Sequence, residues 1–181
     1  MEKKHKYHDI LSKSEISLRI DTYNDIFSSF DPRPYSQKSI SVDFISEAKR
    51  VARDKTSGSL ELKLLMEKKK RNALHERMIK KRMRNHFMNH RNMLLKEKNS
   101  LIRTGVSFIA FGIILMFLAT MIIFSGATGL LWTFMIVLLE PGGWFLFWEG
   151  LNQIVFEAKK INPDLKFYTK MMKCRIEFLS Y

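Results

Sequence analysis

The sequence predicts a membrane α-helical hairpin attached to a small cytoplasmic α+β domain of βαβ type. Three observations carry that fold class. Residues 104–124 contain no charged side chain, and a second apolar run, 130–148, follows across a five-residue turn. Ahead of them, two segments alternate polar and apolar residues on either side of a helix-spaced pattern. The charge is lopsided, with 31 Lys and Arg against 18 Asp and Glu in 181 residues, a net of +13. That length suits one compact domain or a small domain with a hairpin, and excludes a large multidomain enzyme. A single cysteine excludes an internal disulfide framework and a Cys-only zinc cage. The positive excess calls for an anionic neighbour, nucleic acid or lipid headgroups.

Residues 1–13 read as a basic flexible tail, in which His5 and His8 offer at most an unspecific metal contact. Residues 14–66 read as the βαβ-like domain. Segments 15–20 and 59–66 have the period-two alternation of half-buried strands. Between them Ile40, Phe44, Ile45, Ala48, Val51 and Ala52 recur at helical spacing, so 40–53 reads as an amphipathic helix. Residues 54–58 end it with turn chemistry. Phe30-Asp31-Pro32-Arg33-Pro34 reads as a stiff extended loop, because each Pro drives its predecessor out of the helical region. Strand, helix and strand in this order make a right-handed crossover between parallel strands. Two strands are marginal alone. The alternating segment 174–178 would supply a third, and pairing of sheet edges between copies is the other remedy.

Residues 67–103 read as a basic amphipathic helix. From 68 onward they carry thirteen Lys and Arg against Glu76 and Glu97. Ile79, Met83, Phe87, His90, Leu94 and Leu101 form one stripe. A solvated positive face that fixes topology is one reading. Contact of Lys68, Lys69, Lys70, Arg71, Lys80, Lys81, Arg82 and Arg84 with anionic lipid is another, each basic residue contributing about 1 kcal/mol near the surface. Nucleic-acid binding has no recognised motif behind it. His86 and His90 share a helix face at i, i+4, with His75 nearly in line, but Arg82, Arg84 and Arg91 surround them, so no metal is expected.

The first span has a core of nineteen residues, 106–124, about 28 Å as a helix and close to the hydrocarbon thickness. Residues 125–129 form an external turn. The second span, 130–148, contains ten Leu, Ile, Val or Phe but is interrupted by Glu140-Pro141-Gly142-Gly143. A helix break is expected there, with Glu140 capping a second half-helix, serving as a protonatable or ion-coordinating site near the midplane, or lying shallower if the membrane boundary is shifted. Trp144 and Trp148 read as interface anchors. Arg91, Lys96, Lys98 and Arg103 precede the first span and Lys159, Lys160, Lys166 and Lys170 follow the second, whereas the turn has no positive charge. Both termini are therefore expected in the cytoplasm. Residues 149–181 should hold a helix with Asn162 as its N-cap, Pro163 at the first helical position and Asp164 in the first turn, and the candidate third strand.

The segment Phe27-Ser28-Ser29-Phe30-Asp31-Pro32-Arg33-Pro34, the amphipathic helix, the basic helix and the Gly143-Trp144-Phe145-Leu146-Phe147-Trp148 end together resemble small prokaryotic two-span membrane proteins with an N-terminal α/β region. The resemblance implies an inner- or plasma-membrane location and carries no activity, cofactor or catalytic residue. No nucleophile elbow, phosphate loop or dinucleotide motif is present. The expected function is non-enzymatic: a scaffold or interaction module presenting a basic domain at the anionic inner leaflet, as a homo-oligomer or membrane-complex subunit. The alternative is a small channel or transporter subunit that uses Glu140.

Overall fold

A computed structural model describes residues 16–53 and 61–181. The expected basic tail and the turn at 54–58 lie outside the described residues. The chain is mostly helical, with two long apolar helices and a small parallel sheet, and it divides into two compact units. One comprises residues 1–92 and 166–181, the other residues 93–165.

In the first unit, strand β1 (Ile16–Arg19) leads through a 3-10 turn at Tyr23–Ile26 and a long loop to helix α1 (Val42–Arg53). Strand β2 (Glu61–Met66) then pairs parallel with β1, as the βαβ pattern requires. The third strand is present: β3 (Arg175–Ser180) pairs parallel with the other edge of β2 along six residues. The order is β1-β2-β3, with the middle strand supplied from neither end. The register puts Ile16, Leu62 and Ile176 in one row and Leu18, Leu64 and Phe178 in the next. Side chains two apart share a face, so these rows make one apolar face, and all six residues are buried.

Helix α2 (Ala73–Phe124) begins in this unit. Asn72 caps it, its Oδ1 accepting the Leu74 and His75 N–H groups at 2.9 and 3.2 Å. The Asn72 N–H donates to the Tyr23 hydroxyl at 2.7 Å, which fixes the helix start against the 3-10 turn. Buried Glu76 completes the junction, accepting from Arg71 at 2.8 and 3.1 Å. Beyond it, Ile79, Met83 and Phe87 have no exposed surface. Half of the apolar stripe is therefore buried, while His90, Leu94 and Leu101 are half-buried. Lys80 sits 5.7 Å over the Phe178 ring, on the same sheet face.

The loop between β1 and α1 is pinned rather than merely stiff. Phe27 and Ile40 form an antiparallel bridge at its base. Asp31 accepts from Ser39 N–H at 2.7 Å and from both Arg33 Nε and Nη2. The Arg33 guanidinium, then the Ser39 N–H, hold the Asp31 carboxyl well below the usual carboxylate range.

The second unit contains the rest of α2, a turn, and helix α3 (Leu130–Asn152). The turn at 125–129 falls where the sequence places it. Gly126 and Gly129 have φ of +66° and +122°, a region L side chains rarely adopt. Helix α3 runs unbroken through Pro141, so the expected break at 140–143 is corrected. Proline deprives the Val137 carbonyl of its usual donor. A true break would free more backbone groups beside exposed apolar side chains. The helical path also continues past 148, through a π-turn at Gln153–Glu157 and a turn at Ala158–Lys160. Helix α4 (Asn162–Lys173) then returns to the first unit. Asn162 does not cap it as expected; its Oδ1 accepts from Lys98 Nζ at 2.7 Å.

Candidate functional site

The helices of the second unit meet on glycine. A Cβ built on Gly105 would lie 2.8 Å from the Gly150 carbonyl oxygen, and one built on Gly112 would lie 2.6 Å from the Gly143 carbonyl oxygen. The reciprocal approaches are as close: 2.5 Å from Gly150 to the Gly105 oxygen and 2.9 Å from Gly143 to the Gly112 oxygen. Glycines spaced by seven on each antiparallel helix thus interlock backbone to backbone. Ala119, seven beyond Gly112, is also fully buried. On the other helix the next buried small residue is Ala158, eight beyond Gly150. The extra position equals the one residue that a π-turn inserts, and the π-turn lies between them. It keeps the small-residue stripe in phase.

This register fixes the position of Glu140 along the helix pair. Three residues before Gly143, it lies level with Leu115, three residues after Gly112, near the middle of the uncharged run 104–124. Its side chain is exposed and makes no hydrogen bond among the described residues. It lines an open notch of about 420 Å³ with Met116, Thr120, Pro141 and Trp144. Thr120 Oγ1 donates to the Met116 carbonyl at 2.9 Å. The Trp144 ring stacks on Trp148 at 6.0 Å and 20°. Gly142 and Gly143 part company: Gly143 is in the seam, while Gly142 has only Leu115 Cδ1, at 4.0 Å, near its missing Cβ. The outer surfaces of both helices are apolar. Phe111, Phe117, Leu131, Val137 and Phe145 are among many exposed large side chains. The most apolar windows of the two helices are only 11% and 6% buried.

The basic residues are distributed unequally. Arg71 is held by Glu76, Lys80 lies over Phe178, and Arg82 Nε donates to the Lys38 carbonyl at 2.9 Å. Lys68, Lys69, Lys70, Lys81 and Arg84 are exposed, with Lys70 in an ion pair to Glu67 at 3.6 Å. Three of the eight expected lipid contacts are thus engaged inside the domain.

His86 and His90 stand ring to ring at 4.1 Å, and His90 stacks on Tyr168 of α4 at 5.2 Å. His90 Nδ1 lies 3.1 Å from the His86 carbonyl, which can only accept, so that nitrogen carries the hydrogen. His86 Nε2 is buried without a hydrogen-bond partner among the described residues. Burial first, then the neighbouring His90 and Arg82, lower the His86 pKa to about 4. His75 instead packs edge-on to Tyr23 and Tyr35, at 5.9 and 5.3 Å. Cys174 is buried, and burial pushes its thiol up to about 11, so it stays protonated. Among the described residues no group of three His, Cys, Asp or Glu is placed to hold a metal ion.

Comparison with protein-family models, with curated proteins and with solved structures finds no match to this chain. The resemblance to small prokaryotic two-span proteins therefore has no matching family behind it.

Proposed function

We propose that this protein is a non-enzymatic membrane-anchored scaffold. Its two apolar helices span the plasma membrane as a hairpin, both termini face the cytoplasm, and the α/β unit is presented to cytoplasmic partners at the anionic inner leaflet. One observation carries the reading: the two helices point their large apolar side chains outward and keep glycine for each other. A core helix of a soluble protein is mostly buried, and these are not. Interfaces of small residues are the packing mode of helices in lipid, where apolar contact between helices gains little over contact with acyl chains. The exposed Lys68, Lys69, Lys81 and Arg84 supply positive charge for the leaflet.

Alkaline extraction and epitope tags test this. The protein should stay in the alkali-washed membrane pellet. A tag at Ala127 should be reachable only from outside, and tags at residues 1 and 181 only after permeabilisation. Release without detergent, or a tag at Ala127 found inside, overturns the reading. The mid-span position of Glu140 favours a second reading, a small ion or proton conductor. Flux into vesicles reconstituted with the protein, abolished by Glu140→Gln, would replace the scaffold with that function.

A further inference from the structure

Glu140 presents a problem that one copy of the chain does not solve. Its carboxyl is exposed at the level of Leu115, with no hydrogen-bond partner among the described residues. In hydrocarbon an unpartnered carboxyl is strongly unfavourable in either protonation form. Water is not there to serve it, and acyl chains cannot.

The complement lies across the same notch. Thr120 of α2 has given its hydroxyl hydrogen to the Met116 carbonyl, so its oxygen is left to accept. Glu140 of α3 faces that notch yet does not bond Thr120 of its own chain. A neutral carboxyl can donate. A surface with a donor on one helix and an unused acceptor on the other is self-complementary under two-fold rotation. The notch is also a recess, floored by Met116 and Pro141 and walled by Trp144. Between helices in lipid, polar contacts of this kind select protein over acyl chain, which apolar faces alone do not.

We propose that this notch is a homodimer interface: a second copy docks on it about a two-fold axis, and each Glu140 carboxyl donates to the Thr120 Oγ1 of the partner subunit. Four membrane helices then surround the paired carboxyls. The inference rests on the membrane reading above.

The test uses the full chain in lipid bilayers, with dimerisation followed by energy transfer between terminally labelled copies as lipid dilutes them. Two symmetry-related contacts predict that Glu140→Leu weakens association roughly five- to tenfold. Thr120→Val should act similarly, and the double variant should lose little more. Glu140→Gln should retain most of the association, because its amide still donates. In a Cys174→Ser background, Met116→Cys should cross-link between copies under oxidation. Phe111→Cys, nine positions and about half a turn from Thr120, should not. A membrane-retained protein that stays monomeric overturns the dimer alone. So does a dimer indifferent to Glu140→Leu and Thr120→Val, or one cross-linked through Phe111→Cys. Release of the protein by alkaline wash instead overturns the membrane reading beneath it.

Discussion

The sharpest residue-scale statement concerns Gly112. A methyl group there would meet the Gly143 carbonyl oxygen at 2.6 Å and the Phe147 nitrogen at 2.9 Å. Both are backbone atoms, so the clash is relieved only by moving the helices apart. Alanine is the better helix former by about 1 kcal/mol, but forcing atoms into a closed contact costs about 1–3 kcal/mol. Gly112→Ala should therefore lower the melting temperature of the full chain in mild detergent. Gly142→Ala is the internal control, because its nearest neighbour is a flexible Leu115 methyl at 4.0 Å. It should be neutral or slightly stabilising, and equal losses in both variants would refute the seam. The seam was readable in the sequence, since Gly105, Gly112 and Ala119 are spaced by seven and so are Gly143 and Gly150. Charge marks the limits of the apolar runs and carries no sign of the seam, and Gly142-Gly143 beside Pro141 reads first as a bend. In an all-apolar helix the informative variable is side-chain size.

At the scale of elements, the contact of α2 with α4 contains a titrating group whose burial opposes its charge. His86 is neutral in the fold down to about pH 4, while an unfolded histidine takes its proton near 6.5. A group with a lowered folded value stabilises fully above its unfolded value, and that contribution declines as pH falls from about 6.5 toward 4. Because His86 is partly solvated, the loss is discounted to roughly 1–2 kcal/mol. Thermal melts of the full chain between pH 7.5 and 5 should show the decline, and His86→Gln should flatten it. An unchanged slope in that variant would assign the pH dependence elsewhere. The sequence located this helix and its stripe through Ile79, Met83 and Phe87, because a period of 3.6 survives any surroundings. What it could not give is the partner of the stripe. A basic helix with one apolar edge fits a lipid surface or a sheet equally well by pattern. The Leu18, Leu64 and Phe178 row of the sheet forms only when three distant segments align, so no local pattern shows it. The alternation at 174–178 was similarly visible as a strand, but its pairing with β2 was not.

For the whole molecule, the main consequence lies in where that pairing comes from. The central strand β2 takes β1 from the N-terminal side of the chain and β3 from the extreme C-terminal side, with both apolar helices in between. Closing so long a loop normally adds a cost that grows with the logarithm of its length. Here the antiparallel seam removes most of it, because Lys98 and Asn162, near the two ends of the second unit, are already in contact at 2.7 Å. The hairpin contributes no side chain to the sheet, yet it is part of the connection between β2 and β3. Deleting residues 174–181 removes buried Ile176 and Phe178 and bares an edge of β2. Burial of two such side chains is worth about 3–6 kcal/mol, against a total stability of about 5–15 kcal/mol for a typical domain. The truncated chain should therefore show rapid proteolysis within 61–92 while 104–152, held by glycine contacts independent of the sheet, stays protected at wild-type rates. Equal protection of both regions in truncated and full-length protein would mean that β3 adds nothing to the sheet. Loss of protection in both would mean that the hairpin leans on the domain, and the seam would no longer account for its own stability.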